Sequence, residues 1–205
     1  MPLSRFIARL PDMQNTSAGA FKNAIANATE TLGKLQKLER PMTAAADLIV
    51  ECLTQGKKLL VCGNGGSAAD AADFCTEFAC RFDADRRPYA ALNLSQGGSL
   101  ITATANDYGF EEVFSRQIRG FGQRGDIVIV ISTSGKSSNV QRALTEAKAT
   151  GLRSIALLGR DGGSCAGMAD VELIVPGTST ARIQEAHKFL LHVLCEICEP
   201  RLPRS

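Results

Sequence analysis

The 205-residue chain has only two histidines, His187 and His192, so a zinc site of three histidines from one chain is excluded. No run approaches the roughly 18 apolar residues that a membrane span needs. Neither sign of charge dominates: 23 lysines and arginines face 21 aspartates and glutamates, for a net +2 and a pI near 8.2. So even a balance points to no nucleic-acid and no membrane-surface partner. The opening stretch MPLSRFIARLPDM lacks the apolar core and small-residue cleavage pattern of a secretory signal and reads as a loose start. The seven cysteines are odd in number, and most fall in apolar periodic stretches. That pattern suits reduced thiols in a cytoplasmic protein better than a disulfide framework. Cys195 and Cys198 form a C-x-x-C with no second pair nearby, which argues against a zinc ribbon or a redox motif. No internal repeat or low-complexity segment is present.

What remains is a composition with 44% hydrophobic residues, ordinary for a globular chain. Residues 17–38 read as a helix with Phe21, Ile25, Leu32 and Leu35 near one face. ERPMTAAADLIVECLTQG reads as a second, with Pro41 in its first turn and Gly56 as its stop. Then the period changes. KKLLVC, YAALNL, DIVIVIS, RSIALLG and VELIVP are short apolar runs without alternation, as strands buried on both faces are. Helical stretches near 67–82, 97–106, 110–122, 138–150 and 182–198 separate or follow them. The expected fold is α/β: a doubly wound, five-stranded parallel sheet with two helices added at the N-terminus. Residues 1–56 are expected to form a helical extension packed on the core or on a neighbouring subunit, and residues 57–205 the α/β domain.

Ligands of such sheets bind beyond the carboxyl ends of the strands. Three polar loops fall there: CGNGGSAAD, ISTSGKSSN and GRDGGS. The second offers Ser132, Thr133, Ser134, Ser137 and Ser138, a turn at Gly135, and a helix start whose free N–H groups favour an anion. A serine-rich N-cap at an ordinary turn accounts for the same residues. A Walker loop does not fit, because Val130 stands where its first glycine belongs. GNGGSA matches G-x-G-x-x-A, but the next strand ends in Asn93, Leu94 and Ser95, without the acidic residue a nicotinamide ribose needs. No nucleotide cofactor is therefore expected; Asn64 and Ser67 would face a small polar ligand close to the glycine backbone. Two such loops on adjacent strands suggest a sugar phosphate. Asn106 and Asp107 lie at a helix end on that side, where a plain stop and turn is the alternative.

The segment DAADFCTEF carries Asp73 and Glu77 four apart, on one helix face. In a crevice their like charges need a cation or a raised pKa. In ARIQEAHKFLLHVLCEIC, Ile183, Ala186, Leu190, Val193 and Ile197 mark a buried stripe. Gln184 and His192 are eight apart, about 80° around the helix, and point to a similar side. A histidine on a mostly apolar helix is usually structural; the alignment of His192 with Gln184 is what sets it apart. Ketose-to-aldose isomerisation needs a base for the proton beside the carbonyl and an acid for the oxygens, roles that suit Glu and His.

With CGNGGSAADA, TATAND, DIVIVISTSGKSSNV, LLGRDGG and ARIQEAH in this order, the chain resembles the sugar isomerase (SIS) domain family, in its phosphoheptose isomerase branch. The resemblance spans nearly the whole chain and implies a flavodoxin-like fold, a homotetramer with active sites between subunits, and conversion of sedoheptulose 7-phosphate to D-glycero-D-manno-heptose 7-phosphate. Carried over by position, Asn64, Gly65, Gly66, Ser67, Asn106 and Asp107 would meet substrate. Ser132, Thr133, Ser134 and Ser137 would hold the phosphate. Glu77 would be the base and His192 the acid, with Gln184 meeting substrate or metal. Asp73 is a departure, since family members usually read histidine there; the resemblance allows a zinc ion on Asp73, Glu77, Gln184 and His192. A non-catalytic relative that binds the replication initiator protein is the rival reading; it lacks histidine at the position of His192.

Overall fold

The structure, a computed structural model, describes residues 13–204. The loose start at residues 1–12 lies outside them. The elements in chain order are α1 (Met13–Gly33), α2 (Glu39–Thr54), β1 (Leu59–Gly63), α3 (Gly66–Ala79), β2 (Ala91–Asn93), α4 (Gly98–Tyr108), α5 (Ser115–Phe121), β3 (Ile127–Ser132), α6 (Ser138–Ala149), β4 (Arg153–Gly159), β5 (Val171–Val175) and α7 (Thr180–Cys198). The five strands form one parallel sheet in the order β2-β1-β3-β4-β5, the flavodoxin-like order.

The sheet explains the unbroken apolar runs. Leu59, Val61, Ile127, Ile129, Ile131, Ile155 and Leu157 enter a core layer shared with α2, α3 and α7. Their neighbours Leu60, Cys62, Val128, Val130, Ala156 and Leu158 enter the opposite layer, with α6 and the α5 region. Both faces of the three central strands β1, β3 and β4 are covered, so no polar residue is needed at alternate positions.

Two segments differ from the periodicity. YAALNL yields a ladder of only three residues, because Tyr89 is committed elsewhere. Its N–H donates to Phe78 O at 3.0 Å and its hydroxyl to Pro203 O at 2.5 Å. The stretch 110–122 is broken into a short 3-10 turn and α5. There the Ser115 hydroxyl donates to Glu112 O at 3.1 Å, competing with the helical ladder.

The N-terminal helices are not equivalent. α2 buries Ala45, Ala46, Ile49 and Leu53 completely in the first layer. α1 is tied down where Arg182 of α7 donates to Ala24 O at 2.8 Å. Of its expected stripe, Leu35, just beyond α1, is buried, whereas Phe21, Ile25 and Leu32 are exposed. All seven cysteines are unpaired; six are buried and Cys80 is exposed. Burial pushes the thiols of Cys52, Cys75 and Cys198 up to about 12 and that of Cys165 to about 11. Among the described residues no helix is long and apolar enough to cross a membrane.

Candidate functional site

The loops after β1, β3 and β4 lie side by side, since these strands are neighbours in the sheet. Strand order reverses at β1, where a crevice opens between adjacent loops. In the β1 loop, Gly65 has φ +56, and a Cβ on Gly66 would stand 2.3 Å from the Gln184 amide. Glycine there lets α7 press its Gln184 side chain onto the loop backbone. Asn64 turns toward the start of α6. Its amide donates to Asn139 at 2.8 Å and accepts from it at 2.9 Å. Ser67 is buried at the first turn of α3.

The β3 loop is held in shape by its own hydroxyls and by the loop after β4. Ser132 Oγ accepts from Gly135 N at 3.1 Å, and Ser134 Oγ from Lys136 N at 3.2 Å. Gly135 has φ +61, and a Cβ there would lie 1.9 Å from Gly162 O. Its carbonyl accepts from Cys165 N at 2.9 Å. Ser137 stands at the N-cap of α6 in an extended conformation, with its hydroxyl uncommitted to the cap and no acidic residue in the first turn. The N–H groups at such a terminus favour an anion, and Thr133, Lys136 and Ser137 belong to the same loop.

α7 joins the two loops. Gly159 lies so near Thr133 O and Ile183 that a Cβ would stand 2.3 and 2.6 Å from them. One turn on, His187 is fully buried and bonds Leu158 O through Nε2 at 3.1 Å, with Nδ1 unpartnered. Burial pulls its pKa down to about 4, against the bond to Leu158. His187 is thus a neutral core residue, whereas His192 is exposed on α7 with its ring 6.0 Å from that of Phe82.

α3 and α7 run beside each other and build a groove. Asp70 of α3 and Gln184 and Lys188 of α7 line a pocket there, with Asp73 paired to Lys188, and Glu77 and His192 lie further along the same two helices. Lys188 pairs with Asp73 and lies 3.4 Å from Asp70 Oδ1. Asp70 is 4% exposed, and its Oδ2 is buried without a partner. Burial raises its pKa, with Lys188 opposing. Arg86 caps α3 at this end, donating to Glu77 O at 2.5 Å and Phe78 O at 2.9 Å.

The zinc expectation on Asp73, Glu77, Gln184 and His192 is corrected here. Among the described residues no group of three or more His, Cys, Asp or Glu side chains is arranged to hold a metal. The physical reason lies at Asp73: its carboxylate is taken by the Lys188 ammonium, a cation of the chain itself. Lys188, Asp70 and Asn139 were not among the residues expected at the site. The signal was available for Lys188, which stands four residues from both Gln184 and His192 and so on their helix face. Asn106 and Asp107 are exposed at the end of α4 and bond each other at 2.8 Å. No hydrogen bond among the described residues ties them to the loops after β1, β3 or β4.

The parallel sheet in the order β2-β1-β3-β4-β5, with polar glycine- and serine-rich loops at the carboxyl ends of its strands, defines a flavodoxin-like α/β protein. The profile of the SIS domain family matches residues 21–159, and the chain belongs to that family. Phosphoheptose isomerase from Geotalea daltonii is 48% identical over 173 residues, which cover 84% of this chain and 89% of that one. Two solved structures superpose with a TM-score of 0.83. Phosphoheptose isomerase from Neisseria gonorrhoeae is 42% identical, with 92% of this chain and 99% of that chain covered. The enzyme of the same name from Francisella tularensis is 36% identical, with coverage of 92% and 98%.

Proposed function

We propose that the chain is an aldose–ketose isomerase that converts sedoheptulose 7-phosphate to D-glycero-D-manno-heptose 7-phosphate. The observation that carries this reading is the near-full-length similarity to phosphoheptose isomerases in a chain whose neighbouring helices α3 and α7 carry Glu77 and His192. The phosphate sits in the cradle of Ser132, Thr133, Ser134 and Ser137. The sugar chain runs along the Gly65–Gly66 backbone toward Gln184. Glu77 removes the proton from C1 of the ketose and returns it to C2. His192 serves the oxygens, giving a proton to O2 as one leaves O1, so that the enediol intermediate collapses to the aldehyde with no net change in the protein.

The same proposal includes a homotetramer with active sites between subunits. Its support is the exposed apolar stripe Phe21, Ile25 and Leu32 together with exposed Phe189, more than scattered surface residues account for. Asn106 and Asp107 would then reach substrate across such a contact, and within residues 1–56 it would be α1 that meets the neighbouring copy while α2 stays with the 57–205 core. Seven unpaired thiols suit a cytoplasmic site of action.

The test is turnover of sedoheptulose 7-phosphate by the purified protein, with the product identified. Glu77→Gln and His192→Ala are expected to lower kcat by about 100-fold or more while the fold persists. Wild-type rates in both variants would reject the assignment.

A further inference from the structure

Lys188 holds the middle rung of the groove between α3 and α7. It is four residues from Gln184 and four from His192, so the three side chains share one helix stripe. Facing it are Asp73, with which it is paired, and Asp70, whose Oδ1 lies 3.4 Å away. The Lys188 side chain is 30% exposed, open enough to meet a ligand and buried enough to be weakly screened. Asp70 is buried, with a second oxygen that has no partner in the chain. Asp70, Gln184 and Lys188 line one pocket with Ala181 and Glu185, and Gln184 rests on Gly66 of the β1 loop. The ammonium therefore stands between the glycine loop and His192.

We propose that Lys188 is the resident cation of this isomerase and that turnover is metal-independent. The inference rests on the isomerase reading above. As the C1 proton leaves for Glu77, negative charge grows on the substrate carbonyl oxygen, and a fixed positive charge stabilises it. An ammonium has three N–H groups. Asp73 and Asp70 engage two and hold the side chain in place, and the third donates to the substrate oxygen. Lys188 keeps its proton throughout: the carbon-bound proton goes to Glu77 and back, and the oxygen-bound proton passes through His192. A divalent ion in the same place would have to displace Lys188 from Asp73 or sit against its charge.

The experiment uses the full chain stripped with a chelator, its metal content checked by mass spectrometry. Turnover of sedoheptulose 7-phosphate is expected to equal that of untreated protein and to be unchanged by added zinc. Lys188→Met is expected to lower kcat about 100-fold with a much smaller change in KM, and Lys188→Arg to recover part of the loss. A merely structural lysine would not divide the effect in that way. Loss of turnover on stripping that stoichiometric zinc restores would overturn the proposal, as would Lys188→Met with the wild-type kcat. Calorimetric titration with zinc alone decides the matter independently of activity. No saturable binding at Asp73 is expected, and one-to-one binding that Asp73→Ala abolishes would overturn it. If wild-type protein isomerises nothing with or without metal, the isomerase reading fails, and Lys188 as a substrate-polarising cation falls with it.

Discussion

The side-chain amides of Asn64 and Asn139 face each other and exchange two hydrogen bonds, at 2.8 and 2.9 Å. They fasten the glycine loop after β1 to the first turn of α6, across the crevice where strand order reverses. Asn139 is 1% exposed, so nothing but Asn64 can satisfy its amide from the solvent side. Replacing Asn139 with leucine leaves Asn64 with neither bond. Stability is expected to fall by about 1–3 kcal/mol in urea denaturation, and KM for the sugar phosphate to rise as the two loops lose their relative placement. An unchanged KM would show that the loops are aligned by other contacts.

Gly135 and Gly56 both have left-handed backbones, at φ +61 and +71. Gly56 has open space around a built Cβ, whereas Gly135 has the Gly162 carbonyl at 1.9 Å. Gly56→Ala is expected to cost only the backbone strain, about 1–2 kcal/mol. Gly135→Ala must in addition push the β4 loop away and deform the anion cradle. Inorganic phosphate protection against thermal unfolding is expected to survive in the first variant and vanish in the second. Equal protection in both would remove the β3 loop from the phosphate site.

Glu199 sits at the far end of α7 and accepts from the N–H groups of Phe82, Asp83 and Ala84 and from Arg86 Nε, all at 3.0–3.1 Å. Burial alone would raise its pKa, but these donors outweigh it and hold the carboxyl below its ordinary value. A depressed folded pKa means that the carboxylate stabilises the fold fully above the unfolded value, about 4.3, and that this contribution is lost as pH falls through the folded value. Glu199→Gln is expected to lower Tm at pH 7 and to flatten the acid limb of stability against pH. Because Arg86 also caps α3 at Glu77, kcat is expected to drop too, and Arg86→Lys should reproduce the effect.

His187 supplies a second acid-sensitive contribution. Its pKa is about 4 in the fold, depressed by burial, against about 6.5 unfolded. The unfolded chain takes up a proton first, so stability declines as pH drops from about 6.5 toward 4 and levels off below. His187→Leu is expected to remove that decline between pH 6.5 and 4, as read by denaturant midpoints at a series of pH values. A slope that persists in the variant assigns it to another group.

The sheet was legible because parallel strands buried on both faces leave unbroken apolar runs, and because glycine and serine gather at their carboxyl ends. Strand ends and the 110–122 region were less so. Tyr89 and Ser115 make hydrogen bonds to groups distant or unremarkable in sequence, and no local period reports them. In the candidate site, spacing put Asp73 and Glu77 on one face of α3 and Gln184 and His192 toward one side of α7, while the roles of Glu77 and His192 came from the family resemblance; the structure adds that His187 is buried and His192 exposed. For Asp73, the carboxylate pair left a cation or a raised pKa open, and the family resemblance turned the cation into an expected zinc. Lys188 lies 115 residues away in the chain, and only the packing of α7 on α3 brings its charge there.

The cysteines have a practical corollary. Six are shut inside the two core layers, which leaves Cys80, the residue just after α3, as the one thiol that a maleimide dye can reach in the folded chain. It stands three residues past Glu77, on the segment that Glu199 anchors. A fluorophore placed there would watch the working end of α3 during turnover without any engineered attachment point.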